Sequence, residues 1–462
     1  MRNHWFFKII NYLKDTSQLC YGVIHLIFMH SCDLNVSINK LSKIEGHAGL
    51  DIKIKNGKVE RVDLLVAENK RFYTQAIIGR PAISAPQLVS RICGTCSIAH
   101  LTACTEAVEK ALDIRISPQT LLSRKLTMYS LMIRDHALHL YFFALPDIFG
   151  IDSVLDLGDE KKELIHEALH VKEAGNNLSK LVAGRSVHPI YEQVGGFSMI
   201  PDEKKIPDTI KELKSVKKYI LNLAEIFYNC DWKLERKVNF VALTTADFSF
   251  LEGHICSSTG ACIKEENYWD HLQKVVIPYS QAKGFEFEGK EYMVGSLARV
   301  NLNKDALHPE TKKSMKKYLD LFPSYNIFHN NLAQAIEIMH SLDHSIELLE
   351  KNEFKKEEII KPIKQNGEGV GVIEAPRGTL YYWLGVNNGK IRYANLVIPT
   401  AQNLINMRED VREEVTKICA RGIDSENKAK CEMDIKKRVE RIIRAYDPCM
   451  SCASHFLKVR WR

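Results

Sequence analysis

The sequence predicts a mainly α-helical chain with small β-sheets, an α+β fold. Three observations predict it. Apolar residues recur at the three- and four-residue spacing of a helix through several long stretches. Alternation of apolar and polar residues is confined to two short regions, residues 36–66 and 369–395. Two C-x2-C pairs, Cys93/Cys96 and Cys449/Cys452, stand near opposite ends, so a shared site needs a fold that closes the chain on itself.

In chain order, residues 36–66 read as two strands joined by the Asn56-Gly57 turn. After Arg80 the pattern turns helical, and residues 101–112 follow Cys96 at helical spacing. The first cysteine pair therefore belongs on a loop opening a helix, where backbone amides lower a thiol's pKa and favour the metal-binding thiolate. Long helices are expected over residues 118–144, 160–182, 207–228 and 310–350. Residues 369–395 read as a hairpin around Asn387-Asn388-Gly389. Helices over 401–421 and 427–445 then deliver the chain to Asp447-Pro448-Cys449.

The 462 residues are enough for a substantial apolar core, and no repeat or low-complexity linker divides them. One catalytic unit over residues 36–455 is expected, between an extension at 1–35 and a tail at 456–462. With 45% hydrophobic and 26% charged residues the composition is that of a globular protein. A net charge of +7, with no basic low-complexity tract or aromatic–basic motif, argues against a nucleic-acid partner. Twelve irregularly spaced cysteines do not read as a disulfide framework, which points to a reducing, cytoplasmic compartment. The apolar run at residues 19–29 is broken by His25 and too short for a transmembrane span.

A C-x2-C pair offers two thiolates to one metal, and two pairs can make a four-sulfur site that zinc or a simple iron centre would satisfy. The flanking residues narrow this. R-x-C-G-x-C-x3-H over residues 91–100 and D-P-C-x2-C-x2-H over residues 447–455 resemble the paired signature of nickel–iron hydrogenase large subunits. Ile44-Glu45-Gly46-His47, Glu374-Ala375-Pro376-Arg377-Gly378 and Val397-Ile398-Pro399-Thr400 agree in order and approximate position. The run Gly295-Ser296-Leu297-Ala298-Arg299 resembles the soluble subgroup, whose partners handle nicotinamide, deazaflavin or sulfur acceptors.

The resemblance implies a long-helix bundle whose two cysteine motifs meet at a buried metal site. It implies nickel held by four thiolates, with iron carrying cyanide and carbon monoxide and sharing two of the sulfurs. Cys96 and Cys452 would bridge the metals, and Cys93 and Cys449 would bind nickel alone. Hydrogen would be split heterolytically, with Glu45 relaying the proton from the Cys449 sulfur. Arg377 would point at the open coordination position, and Asp135 and Asp447 would pair with it. His100 would donate to a bridging sulfur. Pro376, Arg377 and Thr400 match positions that hold the cyanides.

One departure concerns a second metal, usually magnesium, for which His455 is an implied ligand. Thr74 stands where the family has a glutamate ligand, and a neutral hydroxyl is a poor ligand for a hard cation. The tail after His455 resembles the extension that a dedicated maturation protease removes. The other cysteines have no iron–sulfur spacing, and Cys256 and Cys262 read as core or redox-labile thiols. Electrons would therefore leave through a small subunit carrying iron–sulfur clusters, with diaphorase-type subunits beyond it. The competing readings are a metal-free structural subunit, against which all four cysteines argue, a zinc-bound one, against which the residues flanking them argue, and a hydrogen sensor with the same metals.

Overall fold

Strands β1 (Leu34–Ile38), β2 (Ala48–Lys55) and β3 (Lys58–Val66) form an antiparallel sheet in sequential order. The computed structural model describes residues 33–67, 73–421 and 428–454. The extension through residue 32, His455 and the tail lie outside the described residues. The β2–β3 turn falls at Asn56-Gly57 as expected, with both residues at positive φ (50° and 70°), the geometry a two-residue hairpin requires. Strand β1 was not read from the sequence; it completes the sheet and buries Leu34 and Val36.

The long helices include α1 (Ser97–Leu112), α2 (Pro118–Leu138), α3 (Glu163–Ala183), α4 (Ile206–Tyr228), α6 (His329–Lys351) and α7 (Pro399–Ala420). Helix α5 (Ser296–Asn303) is shorter, and α8 (Lys428–Ala445) and α9 (Met450–Ala453) end the described chain. Ser117 starts α2 by accepting the Thr120 amide at 3.0 Å, and Pro118 at the first position suits a helix start. Beyond Leu138 the same segment continues as a π-helical turn, His139–Ala144. The single helix expected over 310–350 is a correction: the chain forms Pro309–Ser314, Lys316–Leu319 and then α6. Pro323 lies in the break, and its ring and missing N–H cannot continue a helix.

The region between α4 and α5 holds short strands that sequence reading missed. Asn239–Thr244, His254–Ser257 and Cys262–Lys264 pair with Tyr292–Met293 in a four-stranded sheet. Cys256 and Cys262, expected as thiols, face each other across a hairpin and are joined as a disulfide.

The hairpin region forms a three-stranded antiparallel sheet of Gly367–Ala375, Gly378–Asn387 and Lys390–Val397. Ala375 pairs with Gly378, so Pro376 and Arg377 occupy the tip of the first hairpin. Its first strand lies directly on α1. A Cβ on Gly367, Gly369 or Gly371 would come within 2.2, 2.1 and 2.1 Å of the carbonyl oxygens of Ala111, Ala107 and Ala103. Alternate glycines on the strand thus meet every fourth residue of the helix, backbone to backbone. This seam fixes the helix that starts at Cys96 against the strand that leads to Arg377. One continuous apolar core runs through the described elements and includes all four motif cysteines. No helix among the described residues is long and apolar enough to cross a membrane.

Candidate metal centre and active site

Cys93 and Cys96 sit on the loop that leads into α1, with Cys96 as its N-cap. Cys93 Sγ lies 3.0 Å from the Thr95 hydroxyl, and Arg134 Nη2 donates to the Thr95 carbonyl at 2.8 Å, which pins the loop to α2. At the other end, Cys449 precedes the short helix α9, and Cys452 lies within it. The Met450 amide donates to the Glu45 carbonyl at 2.8 Å, and the Cys449 amide donates to Thr400 Oγ1 at 2.9 Å. The N-terminal segment and the start of α7 therefore clamp the second cysteine pair.

The four sulfurs converge. Sγ–Sγ distances are 3.7 Å for Cys93–Cys449, 3.4 Å for Cys96–Cys452 and 2.9 Å for Cys449–Cys452. Among the described residues, this is the only group of three or more His, Cys, Asp or Glu side chains close enough to share an ion. Hydrogen bonds from Cys449, Cys452 and Cys96 pull the Cys93 thiol well down. Hydrogen bonding with Cys449 drives Cys96 up, and burial drives Cys449 and Cys452 up. The lowered thiol is therefore Cys93 on the loop, and not Cys96 at the helix start. Soft cations are what would let all four thiolates form, so the donor set fits a nickel–iron centre.

A small pocket opens on three of these sulfurs. Its walls are Ala99, Ala375, Leu380, Ile398 and Pro399, and its polar residues are His100, Arg377 and Thr400. Arg377 is buried, with Nη1 2.8 Å from Asp135 Oδ2 and Nη2 3.0 Å from Asp447 Oδ1. Both carboxylates sit beyond solvent, which settles that Asp135 is not a solvated helix residue. Gln334 on α6 donates to the other Asp447 oxygen at 3.0 Å. Arg377 Nε and Asp135 Oδ1 have no hydrogen-bond partner within the protein. Arg377 thus lines the sulfur pocket as a buried cation held by two carboxylates, with one donor left unmatched.

His100 is buried and lines the same pocket; its Nδ1 is 2.7 Å from the Tyr382 hydroxyl. Glu45 is half-buried, and its backbone bridges to Cys449. Burial, then the neighbouring Cys93, raises its pKa above the carboxylate norm. Pro376 has no amide hydrogen, and its carbonyl accepts from Arg299 Nη2 at 3.0 Å, so what it offers the pocket is its ring. Thr74 lies on the short helix Tyr73–Ile77. Tyr382, Gln334 and Arg299 were missed by sequence reasoning. Their polar atoms are matched by partners far along the chain, and only the Gly295–Arg299 motif hinted at one of them.

Comparison with known proteins agrees with this geometry. The family model described as nickel-dependent hydrogenase matches residues 73–167 and 249–455. Sulfhydrogenase 2 subunit alpha of Pyrococcus furiosus is 33% identical over 428 residues, spanning 92% of this chain and 100% of its own. The NAD-reducing hydrogenase HoxS subunit beta of Cupriavidus necator is 28% identical, spanning 91% of this chain and 94% of its own. The solved structure of an NAD+-reducing [NiFe]-hydrogenase in the H2-reduced state superposes with a TM-score of 0.78 at 24% identity, covering 91% of this chain and 99% of that one. With the four sulfurs gathered at one buried point and the match running through both cysteine motifs, the chain belongs to the nickel-dependent hydrogenases, oxidoreductases acting on hydrogen, as a large subunit of that family.

Proposed function

We propose that this subunit cleaves or forms hydrogen in the pocket between the cysteine cluster and Arg377. The convergence of Cys93, Cys96, Cys449 and Cys452 carries the reading. These four would hold the metals, with Cys96 and Cys452, 3.4 Å apart, as the pair shared by nickel and iron. When bound, the metals supply a redox-active, Lewis-acidic centre at which hydrogen is polarised. The chain's own residues do the rest.

Arg377 presents a fixed positive charge to the reacting region, and its two buried carboxylate partners prevent it from swinging away. The pocket's aliphatic walls exclude water, which strengthens that charge. Thr400 accepts the Cys449 amide, which leaves its hydroxyl proton to donate into the pocket, where a cyanide on iron would accept it. Carbon monoxide would be served by the apolar wall. His100, with Nδ1 taken up by Tyr382, supports the sulfur side through its other nitrogen. Glu45, raised in pKa by burial and next to Cys449 in the fold, takes the proton onward. Nickel and iron are the metals of this site; Thr74 weakens a magnesium site, and His455 lies outside the described residues.

Electrons need a partner, because the remaining cysteines gather no second cluster among the described residues. The exposed apolar residues Ile83, Leu88, Val187 and Ile190 lie on two segments that meet beside the Cys93 loop. Gln87 Nε2 donates to the Pro189 carbonyl at 3.2 Å, and the His188 amide donates to Ser97 Oγ at 3.0 Å. A small subunit with iron–sulfur clusters covering this face, and diaphorase-type subunits beyond it, complete the electron path. The cytoplasm is the proposed compartment, and a maturation protease the proposed fate of the tail.

Metal analysis tests the reading. This subunit, separated from any iron–sulfur partner, should contain nickel and iron near one each per chain and give infrared bands of carbon monoxide and cyanide, and the complex should reduce a dye with hydrogen. Zinc alone, with no such bands, would replace it with the structural-subunit reading.

A further inference from the structure

Behind the hairpin tip lies a second buried arginine, Arg299, on α5. Its side chain is 2% exposed, and all its N–H groups find acceptors. Nε donates to Glu337 Oε1 at 2.6 Å, and Nη2 donates to Glu337 Oε2 at 2.7 Å. Nη1 donates to Glu374 Oε2 at 2.7 Å and to the Ala375 carbonyl at 2.9 Å. Nη2 also reaches Ser296 Oγ and the Pro376 carbonyl, each at 3.0 Å. The Phe250 ring covers the guanidinium at 5.5 Å. The two carbonyls it holds belong to the residues immediately before Arg377.

The same network reaches Arg377 from its other side. Glu337 Oε2 lies 2.9 Å from His136 Nε2, and His136 follows Asp135, the carboxylate that binds Arg377. Glu374 is anchored in turn by the Leu243 amide at 2.7 Å and the Thr379 hydroxyl at 2.6 Å. The contacts close a circuit from Asp135 through Arg377, Pro376, Arg299, Glu337 and His136 back to Asp135. Only a planar guanidinium can serve two carboxylates and two carbonyls at once; a lysine has three donors on one point.

We infer that Arg299 is a positioning residue for the reaction: it fixes the hairpin tip so that the Arg377 guanidinium stands against both its carboxylates at the sulfur pocket. This rests on the reading that Arg377 works at the metal centre. A merely structural ion pair would set the stability of the fold and leave turnover per metal untouched.

The test uses Arg299→Lys and Glu337→Gln in the purified full-length protein with its metals. Metal content, kcat and KM for hydrogen are measured, together with amide hydrogen exchange over residues 375–379. With nickel and iron at the wild-type level, kcat should fall about a hundredfold, the effect of displacing a catalytic group by roughly 1 Å, while KM stays put. The hairpin-tip amides should exchange faster. Wild-type kcat and wild-type exchange in a metal-loaded variant would overturn the inference. So would a loss of activity that only tracks loss of metal. If Arg299→Lys does not fold, Glu337→Gln, which keeps size and one acceptor, decides. Were the wild-type protein to lack nickel and iron, the functional reading would fail, while exchange at the hairpin tip would still decide the positioning claim.

Discussion

Cys96 and Cys452 place their sulfurs 3.4 Å apart although 356 residues separate them in the chain. That closure brings the helix Met450–Ala453 into the sulfur cluster, and the proposed function makes Cys452 a ligand that assembly of the metals needs. Cys452→Ser should leave the protein with nickel and iron far below one per chain, because a neutral hydroxyl cannot replace a thiolate shared by two soft metals. Elemental analysis of the purified variant checks this; full nickel loading would refute the bridging role.

Glu45→Gln keeps the size of the side chain and removes the titrating group proposed to relay the proton. Nickel and iron should stay in place, while exchange of hydrogen with deuterated water falls by about a hundredfold or more. Undiminished exchange would mean that protons leave by another route.

Gly371→Ala should destabilise the fold strongly. Its new methyl would sit 2.1 Å from the Ala103 carbonyl, a backbone atom that cannot move aside. Overpacking of this kind costs about 3 kcal/mol or more. Gly158→Ala, where a Cβ meets nothing within 4 Å, should change stability by no more than about 0.5 kcal/mol. Thermal unfolding of the two variants side by side separates the cases.

His340 gives the protein a measurable acid sensitivity. It is fully buried, donates Nε2–H to the Phe248 carbonyl at 3.0 Å and accepts the His308 amide at 3.0 Å. Burial, then the nearby His344 and His308, pushes its pKa down to about 3. The unfolded chain protonates it near pH 6.5, so the unfolded state binds the extra proton between the two values. Stability from this group is complete above about pH 6.5 and drains away as pH falls towards 3, by roughly 1.4 kcal/mol per pH unit. Between pH 7 and 5 the wild type should lose about 2 kcal/mol more than His340→Gln. Urea unfolding at both pH values measures it; equal losses would exclude His340 as the source.

Much of the fold was legible because its signals are local. The Asn56-Gly57 turn, the helix after Cys96 and the hairpin turn at Asn387-Asn388-Gly389 all stand where spacing put them. The break at Pro323 was missed because apolar periodicity runs on both sides of it. The strands between residues 239 and 293 are two to six residues long, too short to impose a period on the sequence. At the site, the cysteines announce themselves through the C-x2-C spacing. The Tyr382 partner of His100 and the Gln334 partner of Asp447 do not, since a hydrogen bond across more than a hundred residues leaves no local mark.

The glycine–alanine seam has a mechanical consequence. With no side chains between them to slide or re-pack, the helix bearing Cys96 and the strand reaching Arg377 travel as a single rigid plate. Give in the sulfur cage is then left to the Cys93 loop, pinned by Arg134, and to the turn at Met450–Ala453, tethered by the Glu45 carbonyl and the Thr400 hydroxyl. Those tethers, more than the plate, set how soft the cage is.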